Sequence, residues 1–218
     1  MGDILKRGID VVGATVGLVL LSPLLLVIAV LVRLRMGSPV LFRQTRPGLH
    51  GAPFELVKFR TMTDERTVDG ALAPDGDRLT ALGRWLRRTS IDELPELMNV
   101  LRGDMSLVGP RPLLMQYVPL YTPDQARRHD VRPGMTGWTQ VNGRNTLTWD
   151  EKFVHDVWYV DHRSFRLDAA ILARTVKLVV RGEGVTAPGH ATMEPFRGSA
   201  SGSAAPAHDP SGGEAPRI

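Results

Sequence analysis

The segment from Val11 to Val32, VVGATVGLVLLSPLLLVIAVLV, runs for 22 residues without a charge. As a single helix it covers roughly 33 Å, close to the hydrocarbon thickness of a bilayer. A membrane helix is therefore the first reading, and two features modify it. Ser22-Pro23 lies at the midpoint, where a proline removes one helix hydrogen bond and kinks the axis. Basic residues flank both ends, Lys6 and Arg7 before the segment and Arg33, Arg35, Arg43 and Arg46 after it. Positive charge marks the cytoplasmic side of a membrane. Charge at both ends predicts a re-entrant element that enters, bends at Ser22-Pro23 and returns, with the Ser22 hydroxyl satisfying a carbonyl that the proline frees. An ordinary kinked span is the alternative. A cleaved leader fits less well, because Asp10 interrupts its start and no clear small-residue cleavage site follows.

The chain of 218 residues predicts one domain with appendages. Its net charge of +4 is unevenly placed: residues 1–60 hold eight Lys or Arg against three Asp or Glu, and the remainder is close to balanced. The excess base thus surrounds the apolar segment, where anionic headgroups attract it. A nucleic-acid binder more often carries its base on a folded module. There is no cysteine, which excludes disulfides and thiolate metal sites and suits a cytoplasm-facing domain.

Beyond Arg35, Met36-Gly37-Ser38-Pro39 stops the helix. Val40 to Gln44 and Phe54 to Phe59 read as extended segments around a turn at Arg46-Pro47-Gly48. Thr63 to Asp77 is acidic, punctuated by Gly and Pro, and reads as a loop. Leu79 to Arg88 has helical spacing, with Leu79, Leu82 and Leu86 on one face. A second helix is expected from Leu94 to Leu101, ended by Gly103. Asp104 to Pro112 reads as a stiff turn-rich segment, Leu113 to Tyr121 and Pro123 to His129 as short helices, and Val131 to Arg144 as irregular loop or short strands. Thr148 to His162 and Phe165 to Arg181 return to helical spacing and suit either a core or a membrane surface. From Gly198 the composition is Ser, Gly, Ala and Pro, and a disordered tail is expected.

The sharpest candidate for chemistry is Arg87-Arg88-Thr89-Ser90-Ile91-Asp92-Glu93-Leu94-Pro95. Pro95 tolerates only a first helical turn, so a helix is expected to begin near Asp92. The bland reading makes Asp92 an N-cap and Glu93 a favourable first-turn charge, together worth about 1 kcal/mol. The functional reading uses the same geometry: a helix N-terminus holds Asp92 ionised and able to act as a nucleophile, while Arg87 and Arg88 neutralise phosphates. Arg111, held between Pro110 and Pro112, is preorganised either for a phosphate or for a structural ion pair. Lys58 and Arg60 add positive potential or lie on a solvated strand face. Arg132 and Arg144 reach a nucleotide diphosphate in the functional reading. The six histidines show no metal-ligand spacing, and there is no Walker loop, GxGxxG or GxSxG.

The stretches KRGIDVVGA, SPLLL, VLFRQTRPG, FELVKFRTM, RTSIDELPELMNVLRGDMSLVGPRPLL, RHDVRPGMTGWTQVNGRN and WDEKFVHDVWYV resemble the bacterial sugar transferases, the monotopic phosphoglycosyl transferases. The resemblance covers roughly residues 5–196. The ending GHATMEPFRG is similar to that of the branch handling N,N′-diacetylbacillosamine in bacterial N-linked protein glycosylation. The chain is expected to be the minimal form, without the further N-terminal membrane helices of larger relatives. The resemblance implies a reaction in which a UDP-sugar and undecaprenyl phosphate give undecaprenyl-diphospho-sugar and UMP. It implies that Asp92 attacks the β-phosphorus and forms a covalent phosphosugar, and that Glu93 assists as base or in placing protons and metal. It implies Mg²⁺, with Asp92 as a ligand, to offset the diphosphate charge. Arg88 and Arg111 match phosphate-contacting positions, and Ser22-Pro23 matches the break of a re-entrant hairpin.

The expected fold is mixed α/β and mostly helical. It comprises a re-entrant membrane helix-break-helix hairpin over residues 1–36, a small interfacial cytoplasmic catalytic domain over 37–197, and a tail over 198–218. The expected place is the cytoplasmic face of the bacterial inner membrane, monotopic and in contact with its lipids. The expected partners are a UDP-sugar, probed first among acetamido sugars with galactose and glucose as alternatives, and undecaprenyl phosphate, with no nucleic acid. The rivals are a non-enzymatic membrane scaffold, which has no need of both Asp92 and Glu93, and a transferase that moves the sugar alone and releases UDP.

Overall fold

Along the N-terminal helix, Asp10, Ala14, Leu18, Leu21, Leu25, Ile28 and Val32 recur every three or four residues, the spacing of one helix face. In the computed structural model, which describes residues 2–143, 147–181 and 195–199, that stripe packs on the rest of the chain from end to end. Helix α1 (Asp3–Met36) sets Ala14, Leu18 and Leu21 against Leu56, Leu97, Val100 and Met105. Further on it sets Leu25, Ile28 and Val32 against Phe59, Leu82 and Leu86. The opposite face leaves Val12, Val16, Val19, Leu20, Leu26 and Val27 exposed.

The helix runs through Pro23 as one element. Sequence reasoning expects a break there. Pro23 has no N–H for the carbonyl four residues back, that of Val19, and the Ser22 hydroxyl donates to this carbonyl at 2.8 Å. The expected rescue by Ser22 is present, and with it the helix continues.

The flanking bases differ from expectation at the N-terminal end. Arg7 donates to the carbonyls of Val100 at 2.5 Å and Leu101 at 2.8 Å, the last turn of a later helix. Lys6 pairs with Asp168 at 2.8 Å and Asp10 at 3.4 Å. Asp10, buried, accepts from the Ser106 hydroxyl and the Leu107 N–H. These charges bolt α1 to the domain. Arg33 and Arg35 stay exposed in its last turn.

Strands β1 (Leu41–Pro47) and β2 (Pro53–Phe59) form an antiparallel hairpin, with Leu41 opposite Phe59 and Pro47 opposite Pro53. β1 runs three residues past the expected Gln44, so the turn falls at Gly48 to Ala52, where the Gly48 N–H donates to the Ala52 carbonyl at 2.7 Å. After the expected loop come a single turn, α2 (Asp75–Arg78), and α3 (Ala81–Thr89), capped by the Thr80 hydroxyl on the Gly83 N–H. Gly83 lets α3 lie directly on the backbone after β2, since a Cβ there meets the Thr61 carbonyl oxygen at 1.9 Å.

The helix expected from Asp92 begins later. Ser90 closes α3 in the left-handed region, φ 55, ψ 17, and residues Ile91–Glu96 form a tighter 3₁₀ turn. Pro95 supplies no N–H within it, so α4 spans only Leu97–Arg102 before the left-handed Gly103. On α4, fully buried Asn99 stands in for a third strand: it accepts from the Val57 N–H at 3.1 Å and donates to the Glu55 carbonyl at 2.7 Å.

The segment read as turn-rich contains β3 (Ser106–Val108). It pairs in parallel with β4 (Gly134–Thr136), found where loop or short strands are expected. Short turns α5 (Pro123–Ala126) and α6 (Trp138–Val141) precede α7 (Trp149–His162) and α8 (Phe165–Arg181). Both long helices match their predicted extents, and α7 opens with the capping box of Thr148 and Glu151. Tyr159 of α7 and Ile171 of α8 pack on Val108, Val131 and Trp138. Phe196 returns to an aromatic cluster with Tyr117, Tyr121, Trp149 and Phe153. Of the expected tail, Ser199 is seated between Gln125 and Asp150; residues 200–218 lie outside the described set. The fold is mostly helical with two small two-stranded sheets.

Candidate active site

A cavity of about 430 Å³ opens between the Ile91–Glu96 turn, the β3–β4 crossing and helices α7 and α8. One end is lined by Lys58, Arg87, Asp92, Glu93 and Arg111, the other by Thr136, Thr139, Gln140, Trp149, Lys152 and Thr175. Four separate stretches of chain thus bring together five of the residues singled out from sequence.

Asp92 is 3 % exposed. It lies inside the 3₁₀ turn, not at its cap. Burial, reinforced by the neighbouring Glu93 carboxylate, pushes its carboxyl up to about 6, against the pull of Lys58, Arg111 and Arg87. The expected helix N-terminus around this group is a 3₁₀ turn instead, and desolvation outweighs the nearby cations. At pH 7 the carboxylate is still the majority form, and it is less stabilised than an ordinary one.

Glu93 and Arg111 form a two-point ion pair, which raises the Arg111 guanidinium further above its usual range. Lys58 is half-buried in the cavity wall, and burial lowers its ammonium, an effect partly offset by Asp92 and Glu93. Arg87 lines the cavity with its Nε donating to the Thr61 hydroxyl at 3.0 Å. Arg88, the next residue on α3, is exposed and outside the cavity lining. Arg132 is also placed elsewhere: it donates to the Gly103 carbonyl at 2.9 Å, beside the small cleft under Lys6 and Asp10. Arg144 lies outside the described residues. Arg60 is buried, holding the Met62 and Ser38 carbonyls and pairing with Asp64.

Sequence reasoning missed Glu96, which is 3 % exposed and pushed up to about 8 by burial and by Glu93. Its spacing of four from Asp92 was the available signal. It also missed Arg128 and Asp156, a buried pair in the cavity wall. The hint was an acidic side chain on the apolar face of α7.

A hard dication fits this donor set. Mg²⁺ takes one or two carboxylates together with substrate phosphate oxygens. Asp92 and Glu93 are adjacent carboxylates on one wall, and their repulsion helps raise Asp92. Among the described residues no three His, Asp or Glu group together as metal ligands.

The description "Bacterial sugar transferase" belongs to the family whose model matches residues 1–182. A Bacillus subtilis protein named "Uncharacterized sugar transferase EpsL" is 59 % identical over 196 residues, 90 % of this chain and 97 % of its own. A UDP-glucose:undecaprenyl-phosphate glucose-1-phosphate transferase of Caulobacter vibrioides is 46 % identical over 184 residues, 80 % of this chain and 69 % of its own. A UDP-N-acetylgalactosamine-undecaprenyl-phosphate N-acetylgalactosaminephosphotransferase of Aeromonas hydrophila is 40 % identical over 188 residues, 83 % of this chain and 44 % of its own length. Matched over this extent, the chain is a transferase and belongs to the bacterial sugar transferase family.

Proposed function

We propose that the protein moves a sugar 1-phosphate from a UDP-sugar to undecaprenyl phosphate in two steps. In the first, an Asp92 carboxylate oxygen attacks the β-phosphorus, the bond from that phosphorus to the bridging oxygen breaks, and UMP leaves. In the second, a phosphate oxygen of the lipid attacks the same phosphorus and the carboxylate is released. The observation that carries this reading is a buried, cation-ringed Asp92 whose carboxyl sits near 6, on the wall of a cavity large enough for a nucleotide. Such a carboxylate is poorly solvated and correspondingly available as a nucleophile.

Lys58, Arg87 and Arg111 bind and orient the diphosphate and oppose its charge. Glu93 holds Arg111 and shares the negative wall with Asp92. Asp92, with help from Glu93, would hold Mg²⁺, which would supply charge neutralisation at the diphosphate. The rest of the lining, with Thr136, Thr139, Gln140 and Trp149, takes the rest of the nucleotide sugar.

In this reading helix α1, continuous through Pro23, enters the membrane from the cytoplasmic face and kinks near Pro23 so that both ends stay on that face. Its exposed apolar face and the exposed Arg33 and Arg35 support this placement. The relatives' names span glucose, galactose and N-acetylgalactosamine, and the GHATMEPFRG ending favours an acetamido sugar, N,N′-diacetylbacillosamine included. Residues 189–194 of that ending lie outside the described set.

The test is nucleotide release over a panel of UDP-glucose, UDP-galactose, UDP-N-acetylgalactosamine and UDP-N,N′-diacetylbacillosamine, with undecaprenyl phosphate and Mg²⁺. UMP from at least one donor, together with a phosphosugar adduct on Asp92, is expected. UDP release, or turnover with no adduct and no need of Asp92, overturns the proposal.

A further inference from the structure

Pro110-Arg111-Pro112 has three carbonyls and, between its prolines, a single N–H. Each carbonyl is held by a donor from a different part of the chain. The Gly134 N–H donates to Pro110 at 3.0 Å, Arg128 Nη2 to Arg111 at 2.8 Å and Arg46 Nη1 to Pro112 at 3.3 Å. The middle contact is the most elaborately supported. Arg128 is 2 % exposed. Its Nε and Nη2 meet Asp156 Oδ2 at 3.1 and 2.6 Å, and the Thr139 hydroxyl donates to Oδ1 of the same carboxylate at 2.5 Å. Nη2 therefore spends one hydrogen on Asp156 and the other on Arg111, while Nη1 reaches the Tyr121 hydroxyl at 3.4 Å.

A buried ion pair costs desolvation that its own attraction barely returns. A hydrophobic pair of equal volume fills such a space at no loss of stability. What the charged pair does that an apolar one does not is grip one particular backbone oxygen, that of Arg111. We infer that Arg128, oriented by Asp156 and Thr139, is a positioning residue that fixes the Arg111 backbone so that its guanidinium meets the substrate diphosphate in one place. This rests on the reading of Arg111 as a phosphate contact. Arginine suits this place because its rigid planar fork keeps Nε on the carboxylate while Nη2 reaches the carbonyl, a geometry that the flexible lysine ammonium does not fix.

The test is a double-mutant cycle on the full chain, with KM for the nucleotide sugar and kcat read separately. Arg128→Lys is expected to raise KM about tenfold with a smaller change in kcat, and to change it less than about twofold when Arg111 is already Ala. Should Arg128→Lys fail to fold, Thr139→Val carries the same test, with a KM increase of roughly threefold that again disappears beside Arg111→Ala. A large Arg111→Ala effect together with an undiminished Arg128→Lys or Thr139→Val effect overturns this inference alone. An unchanged KM in Arg111→Ala overturns the phosphate-contact reading, and this inference with it.

Discussion

The terminal nitrogens of Arg111 each donate to one oxygen of Glu93, Nη1 to Oε2 at 3.2 Å and Nη2 to Oε1. The guanidinium fork is thus held by a carboxylate, the group whose geometry a phosphate most nearly shares. In the proposed reaction a substrate phosphate competes with Glu93 for that fork. Glu93→Gln weakens that competition and is expected to lower KM for the nucleotide sugar by about three- to tenfold while also lowering kcat, a split that steady-state kinetics resolves. A raised KM instead points to Glu93 as a direct substrate contact.

Asp92 couples activity and stability in opposite senses. Its folded-state pKa of about 6 lies above its ordinary value of 3.8. Between the two the folded chain binds more protons than the unfolded one, so this group favours folding at low pH, and the contribution is lost as pH rises from 3.8 to about 6. At neutral pH the ionised Asp92 costs on the order of 3 kcal/mol. Asp92→Asn is therefore expected to abolish adduct formation and to lower turnover by about 10³-fold or more. The same substitution raises the denaturation midpoint at pH 7 and leaves it nearly unchanged at pH 4. In the parent protein kcat/KM rises with pH through an apparent pKa near 6 as the carboxylate forms.

Periodicity made the long helices readable. α7 and α8 follow the spacing of their apolar residues, and the Thr148 capping box fixes where α7 begins. Asp92, Glu93, Arg87, Lys58 and Arg111 were legible as residues because local chemistry, two carboxylates beside arginines and an arginine between prolines, marks them. What stayed hidden was set by contacts distant in sequence. Lys6 and Arg7 look like lipid-facing bases until Asp168, 162 positions after Lys6, and the α4 carbonyls 93 and 94 positions after Arg7 claim them. The upward shift of Asp92 comes from burial, which no local motif encodes. Arg88 and Arg132 carry the same charge as their cavity-lining counterparts, and only the helix phase of α3 and the path of the chain after β3 send them elsewhere.

Asn99 tests how the catalytic turn is anchored to the hairpin. Its amide completes the outer edge of β2 through Val57 and Glu55 and reaches Asp104 Oδ2 at 3.2 Å. Asn99→Ala strands the buried Val57 N–H, removes the donor to the Glu55 carbonyl and opens a void. The expected loss is about 2–4 kcal/mol of unfolding free energy by denaturant titration. Asn99→Asp keeps the acceptor for Val57 but loses the donor to Glu55 and brings a second charge towards Asp104, so it is expected to be at least as damaging. A loss under about 0.5 kcal/mol in both variants excludes this anchoring role.

The Ser22–Val19 contact sets up the last prediction. Pro23 removes the N–H that the Val19 carbonyl needs, and the Ser22 hydroxyl replaces it at 2.8 Å. In hydrocarbon an unsatisfied carbonyl costs several kcal/mol. Ser22 thus makes a proline tolerable at the midpoint of the apolar segment, where the proposed hairpin bends. The chain has no cysteine, so single cysteines at Gly2 and Arg35 report where each end lies. Both are expected to react with a membrane-impermeant maleimide only when the cytoplasmic face is exposed. Pro23→Leu restores the N–H and stiffens the segment, and it is expected to send part of the population across the bilayer, with the Gly2 cysteine now labelled from outside. A parent protein whose Gly2 cysteine is labelled only from outside is a simple span, and a Pro23→Leu variant with unchanged labelling shows that the basic clamp of Lys6 and Arg7 on the domain, and not the proline, holds the N-terminus inside.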